Sequence, residues 1–226
     1  MKLTTNPPQF LRYSAGKWDI IRKNVIIETP VSLTVNGQVL ITLMCTPTDL
    51  ESLAVGFLFN EGLIASKDEI ASVRVCGQGE NVDLWLEHSL EKPDRWWRTS
   101  GCTGGVTSIG NEPDQDRPTS LEQSYLGSLS NIDRSAAEKP QVTLAPQQIT
   151  ELMEQILEAQ SLYRLAGGVH SSALSDGRQL LVVTEDIGRH NTLDKIAGRC
   201  LLENIVIQPR QRGRITTERS GRQGRS

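Results

Sequence analysis

Asn36-Gly37 stands between two alternating runs, Val31, Leu33 and Val35 before it and Val39, Ile41 and Leu43 after it. A two-residue hairpin turn of type I′ needs positive φ at both central positions, which Asn and Gly tolerate. The alternation gives each flanking strand one apolar face. The pair therefore predicts a β-hairpin, and a hairpin with one apolar face must be covered. The segment that follows supplies the cover. Thr48 is a candidate N-cap, and Glu51 three residues later completes a capping box. Leu50, Leu53, Ala54, Phe57 and Leu58 fall on one helical stripe, and Gly62 stops the helix.

The rest of the chain extends this pattern. Trp18 to Glu28 is β-branched and reads as a strand ahead of Pro30. Val73–Cys76 and Val82–Leu86 read as two more strands, split by Gly77-Gln78-Gly79. A helix is predicted from Pro146 to Tyr163, with Ile149, Leu152, Met153, Ile156 and Leu157 buried. Val169–Leu174 and Gln179–Thr184 follow as strands around the Asp176-Gly177 turn. A helix from Asn191 to Leu202 and a strand beginning at Ile205 complete the second half. Helices alternating with strands over 146–207 predict a layered α/β fold. The expected organisation is a leader over 1–16, a β-rich lobe with a core helix over 17–109, a flexible polar linker over 110–141, an α/β lobe over 142–207, and a disordered basic tail over 208–226.

Charge and cysteine usage exclude several classes. The formal net charge is −3 and the pI about 5.7. Residues 208–226 hold six arginines against one glutamate, so that stretch carries +5 and the remainder −8. The chain as a whole is not a polyanion binder, and no nucleic-acid partner is expected. No apolar run reaches the roughly 18 residues of a membrane span, and the N-terminal segment has no apolar signal core, so a cytoplasmic location is expected. Four cysteines without a Cys-x-x-Cys pair predict reduced thiols, not a disulfide framework.

Three stretches carry candidate chemistry. Ser100-Gly101-Cys102-Thr103-Gly104-Gly105 sets one thiol among glycines, where backbone N–H groups can approach and stabilise a thiolate. Cys45, Cys76 and Cys200 sit in apolar patterns and read as core residues. Gly167-Gly168-Val169-His170 places a histidine at the start of a strand behind two permissive residues. Glu185-Asp186-Ile187-Gly188-Arg189-His190-Asn191 follows a buried strand and opens a helix, where anions are favoured and arginine can grip a phosphate. Capping of the loop by Asp186 and Asn191 is the purely structural reading of the same run. Histidines and cysteines are not clustered for zinc, and no nucleophile elbow of the hydrolase type is present.

These blocks, with Thr46-Pro47-Thr48-Asp49-Leu50-Glu51 and its continuation to Gly62, resemble the FdhD family of sulfur-carrier proteins required for formate dehydrogenase. The resemblance implies a cytidine-deaminase-like α/β fold without the deaminase zinc, and a cytoplasmic homodimer. It implies sulfur taken from a cysteine desulfurase as a persulfide. It also implies delivery of that sulfur to the molybdenum bis(molybdopterin guanine dinucleotide) cofactor, bound as substrate, before insertion into formate dehydrogenase. The sulfur-carrying cysteine maps onto Cys102. The candidate cofactor contacts are Gly168, His170, Asp186, Arg189, His190 and Asn191, with no metal bound directly by protein ligands. Two departures stand out. Cys102-Thr103-Gly104-Gly105 replaces the Cys-x-x-Cys of some members, leaving a single-cysteine carrier. The stretch after Ile207 turns into Arg/Gly/Ser sequence where family members continue, so a truncated C-terminal part is expected. The alternatives from other classes are a non-catalytic chaperone for the molybdenum cofactor and a cysteine hydrolase using His170 or His190 as base.

Overall fold

Both residues of the Asn36-Gly37 turn have positive φ, 49° and 81°. They join strand β5 (Thr29–Val35) to β6 (Gln38–Cys45), with Val35 opposite Gln38 and one irregularity at Leu33/Thr34. Val31, Leu33 and Val35 are buried on one face, as the alternation requires. The Asn36 side chain also donates to the His88 carbonyl at 2.9 Å and accepts from the Leu86 N–H at 2.8 Å, so the turn holds the end of another strand.

The computed structural model describes residues 5–90, 95–98, 106–109, 144–205 and 213–217. Ahead of the hairpin lie β1 (Thr5–Asn6), β2 (Gln9–Ser14), β3 (Lys17–Arg22) and β4 (Val25–Ile26). β2 lies in the expected leader but pairs antiparallel with β3 across Ala15-Gly16, both in the left-handed region. The strand expected over 18–28 is thus two pieces, separated at Lys23-Asn24. After β6 come helix α1 (Leu50–Asn60), β7 (Ile70–Cys76) and β8 (Asn81–Leu86). The four-stranded sheet runs β6-β5-β8-β7, with β8 parallel to β5 and the other pairs antiparallel.

The second half contains α2 (Pro146–Ala159), α3 (Ser161–Ala166), β11 (His170–Ser175), β12 (Leu180–Asp186) and α4 (Arg189–Leu202). β9 (Arg95–Arg98) and β10 (Val106–Ile109) form a separate antiparallel pair. The single helix expected from 146 to 163 is broken at Gln160, whose ψ of 98° leaves the helical region. Two of its five expected core residues, Ile149 and Leu157, are exposed at 43% and 39%. Only Leu152 and Ile156 of the helix are buried, because α2 meets the sheet along a narrower line than its apolar stripe.

β13 (Gly213–Thr217) joins β11 on the side opposite β12, giving a three-stranded antiparallel sheet β12-β11-β13. This segment lies within the stretch expected to be a disordered basic tail. The expectation rested on arginine content and missed the short Arg214-Ile215-Thr216-Thr217 run, which meets an open strand edge. The expected strand from Ile205 extends outside the described residues after Ile205, as does the whole 110–141 linker.

β11 is buried on both faces. Ser171 meets Gln160 at the α2 end at 3.1 Å, while the next residue, Ser172, shares a 2.7 Å hydrogen bond with Thr192 of α4. Successive strand residues point to opposite faces, so α2 and α4 cover the sheet from opposite sides. α4 also packs on α1, and α1 packs on the four-stranded sheet. The layers therefore run sheet, α1, α4, sheet, α2, an α/β architecture as predicted. α1 is buried from Ser52 through Leu58, not along one stripe, because α4 covers the face that the first sheet leaves open.

The α1/α4 crossing is made backbone to backbone. A Cβ on Gly56 would lie 1.7 Å from the Asp194 carbonyl oxygen, and one on Gly198 would lie 1.9 Å from that of Ser52. Only glycine admits this approach.

Candidate functional site

Hairpin register brings the predicted residues of the second half to one end of the three-stranded sheet. His170, the first residue of β11, is opposite Asp186, the last of β12. Gly167 and Gly168, both with positive φ, lead into His170, and Ile187-Gly188 lead from Asp186 into α4. Helix α4 begins at Arg189, two residues earlier than the periodicity suggested, so Arg189, His190 and Asn191 form its first turn. Gly168, His170, Asp186, Arg189, His190 and Asn191 thus share one end of the sheet.

Their environments differ sharply. Asp186 is 0% exposed. One carboxylate oxygen accepts from the Gly188 N–H at 2.7 Å and the Asn191 amide at 2.8 Å. The other accepts from the Thr46 N–H at 3.1 Å and from Lys195 Nζ at 2.6 Å. Asn191 is also buried and donates to the Met44 carbonyl at 2.8 Å. These two side chains knot the loop to itself and to the segment joining β6 to α1. The Ile187 N–H donates to the Thr46 hydroxyl at 3.0 Å and completes the junction. Asp186 and Asn191, expected as ligand contacts, occupy the structural role that their capping chemistry also allowed.

Lys195 is the residue that sequence reasoning passed over. Its ammonium is fully buried and reaches Asp186, the Thr48 hydroxyl at 3.1 Å, and the carbonyls of Thr46 and Glu185 at 3.2 and 3.3 Å. Burying a charge is tolerated only with pairing and hydrogen bonds of this kind. A signal was present: Asn191 and Lys195 are four apart on a helix, hence on one face. Thr48 is consequently not the helix cap predicted for it. Asp49 takes the N-cap position in the left-handed region without a side-chain cap bond, and the Thr48 hydroxyl serves Lys195 instead.

Glu185 acts one step away. Its carboxylate accepts from the N–H groups of Ser161, Leu162 and Tyr163 at 2.8 to 2.9 Å and from the Ser161 hydroxyl at 3.0 Å. An anion here satisfies the otherwise unpaired donors at the start of α3. That fixes the short helix leading to Gly167-Gly168.

Other positions at this end remain accessible. Gly168 is exposed, and Arg189 and His190 are half-buried. His170 is half-buried, and its Nδ1 has no hydrogen-bond partner among the described residues although the atom is sealed from solvent. A groove of about 350 Å³ lies against this end, with Gly167, Gly168 and Ile187 on one wall and Phe10, Ile21 and Lys23 of the N-terminal strands on another. No atom lies within 4 Å of where a Cβ would stand on Gly167 or Gly168, so the backbone there is open to a visitor.

Cys102 lies outside the described residues. The strands on either side of it are paired, with Arg98 opposite Val106, so the two ends of its stretch are held together. The three described cysteines offer no activated thiol. Cys45 is fully buried. Cys76 donates to the Asp83 carboxylate at 3.4 Å, and that bond pushes its pKa up. Burial, followed by the nearby Glu203 charge, pushes the Cys200 thiol up. No helix among the described residues is long and apolar enough to cross a membrane.

Fold and site define an α/β protein with two sheets clamped through paired helices. It carries an open glycine turn and a helix start at one end of the second sheet, and a glycine-flanked thiol between paired strands. The chain belongs to the FdhD/NarQ family, whose model matches residues 26–220. It is 32% identical over 216 residues to the sulfur carrier protein FdhD of Staphylococcus aureus strain MRSA252, covering 92% of this chain and 74% of the relative. The protein of the same name from strain Newman is 31% identical over the same span. The fold is also similar to a crystal structure described as a formate dehydrogenase accessory protein from Desulfotalea psychrophila. The TM-score is 0.61 at 25% identity, over 89% of this chain and 70% of that one.

Proposed function

We propose that this protein is a sulfur carrier in which Cys102 accepts sulfur as a persulfide from a cysteine desulfurase. It then delivers that sulfur to a molybdenum bis(molybdopterin guanine dinucleotide) cofactor destined for formate dehydrogenase. The observation that carries the reading is family membership across both lobes, with relatives named as sulfur carriers. In the loading step the Cys102 thiolate attacks the outer sulfur of the desulfurase persulfide. The donor S–S bond breaks, the desulfurase thiolate leaves, and a new S–S bond forms on Cys102. Cys45, Cys76 and Cys200 are poor substitutes, since a thiol must ionise and be reached to attack.

The cofactor is cargo, and this end of the second sheet is where we place it. Arg189 and His190 in the first turn of α4 suit its phosphates, because helix starts favour anions. Gly168 allows close approach. The His170 Nδ1, buried and unpartnered among the described residues, is a polar group that a ligand would satisfy. Asp186 and Asn191 contribute by holding the loop. The proposed setting is the cytoplasm, with the protein acting as a homodimer.

Mass spectrometry tests the reading directly. After incubation with a desulfurase and cysteine, we expect a one-sulfur mass increase on the Cys102 peptide, absent in Cys102→Ala. The same variant is expected to lose restoration of formate dehydrogenase activity by at least about 100-fold, the scale for removing a nucleophile. Sulfur loading on another cysteine, or full restoration by Cys102→Ala, would overturn it.

A further inference from the structure

Nothing packs on the turn at Gly167-Gly168. Both residues have positive φ, 68° and 73°, and no atom lies within 4 Å of where a Cβ would stand on either. Consecutive glycines lose more backbone freedom on being fixed than any other pair. Their position is therefore set by what holds the two ends of the turn. The far end is secured by strand pairing, with His170 opposite Asp186 and Ser171 opposite Glu185. The near end is α3, a helix of only 6 residues. A helix so short does not hold itself together in water.

The Glu185 side chain holds it instead, in a residue that is 8% exposed. Its Oε2 accepts from the Ser161 and Leu162 N–H groups, both at 2.8 Å, and from the Ser161 hydroxyl at 3.0 Å. Its Oε1 accepts from the Tyr163 N–H at 2.9 Å. The Tyr163 carbonyl in turn accepts from the Gly167 N–H at 2.8 Å. A single residue thus connects the carboxylate to the glycine turn. The carboxylate has support of its own. The Ser171 hydroxyl donates to Oε1 at 3.5 Å and accepts from the Gln160 amide at 3.1 Å. The Glu185 carbonyl accepts from Lys195 Nζ at 3.3 Å, which joins this brace to the buried Lys195–Asp186 pair. With its oxygens committed to α3 and Ser171, Glu185 acts on a visitor only through the turn.

We infer that Glu185 is a positioning residue for the cargo: through α3 it sets the Gly167-Gly168 backbone in the place where the nucleotide end of the cofactor meets it. The inference rests on the placement of the cofactor proposed above. In Glu185→Gln one oxygen remains, and the NH2 group that replaces the other must face an N–H donor, either Tyr163 or the Ser161 and Leu162 pair. The brace then loosens and the turn samples other positions. A site that is competent for only part of the time binds with its affinity reduced by that fraction.

Guanosine diphosphate, the chemistry of the cofactor's nucleotide end, is the probe, titrated calorimetrically into the full chain. Glu185→Gln should raise its dissociation constant about 10-fold. Val82→Ala, a truncation at a fully buried position of the first sheet, should lower the melting temperature and leave the dissociation constant unchanged. Hydrogen exchange gives the local readout. The Gly167 N–H should exchange at least about 10-fold faster in Glu185→Gln while the amides of β7 and β8 keep their rates, and saturating guanosine diphosphate should restore its protection. Ser161→Ala removes only the hydroxyl contact and should move both readouts the same way by about 3-fold, so the test survives a poorly folding Glu185 variant. Sulfur loading of Cys102 should keep its wild-type rate in both. A dissociation constant shifted no more by Glu185→Gln than by Val82→Ala, or Gly167 exchange indifferent to the substitution, would overturn the inference and leave the cofactor's placement standing. A wild type that does not bind guanosine diphosphate would overturn both.

Discussion

Lys195 and Asp186 carry opposite charges at 2.6 Å, both at 0% exposure, and together they tie β12, α4 and the β6–α1 segment. Removing one partner of a buried pair leaves the other uncompensated in a low-dielectric interior, at a cost of about 3–5 kcal/mol. Lys195→Met is therefore expected to lose that much unfolding free energy in urea titrations. A loss below about 1 kcal/mol would mean that the pair is not the junction described. One position earlier, Asp194 behaves differently. Burial raises its pKa to about 7, against a 2.6 Å hydrogen bond from Asn60 that lowers it, with Glu61 and Asp186 adding to the rise. A carboxyl raised in the folded state holds its proton after the unfolded chain has released it. Stability should therefore decline as pH climbs from about 4 to 7 and stay reduced above that. We expect wild type to lose on the order of 2 kcal/mol between pH 5 and pH 8 from this group, and Asp194→Asn to flatten that slope. Equal slopes for the two proteins would refute the assignment.

At the level of elements, the α1/α4 crossing is the tightest contact. The methyl group of alanine at Gly56 or Gly198 would collide with a helix carbonyl, so the helices must separate. Overpacking of this sort costs typically about 1–3 kcal/mol, and more where backbone must move. Gly56→Ala and Gly198→Ala are each expected to lower the melting temperature by at least about 5 °C. Unchanged melting would show that the helices are not in backbone contact. The same elements mark what local pattern could tell. The hairpin at Asn36-Gly37, the strands β7 and β8 and the existence of α1, α2 and α4 all follow from alternation, periodicity and turn chemistry. The break at Gln160 and the start of α4 at Arg189 depend on what each end meets. Glu185 captures the N–H groups of a second short helix, which no local pattern announces.

On the scale of the whole molecule, two sheets are joined through helices, and the candidate site lies where one end of the second sheet meets the N-terminal strands. The primary sequence determined the family, the α/β class, the solitary glycine-flanked cysteine and the clustering of polar residues after β12. These are properties of residue type and spacing, and short-range physics expresses them directly. It left Asp186, Arg189, His190 and Asn191 equivalent, one polar run with two readings. Tertiary structure separated them by placing Thr46, Thr48 and Lys195, distant along the chain, around Asp186 and Asn191. It also turned Gly213–Thr217 from charged tail into an edge strand by presenting β11 to it. In both cases the deciding partner is remote in sequence, and hydrogen-bond satisfaction, which is settled only when remote segments meet, cannot be read from any single stretch.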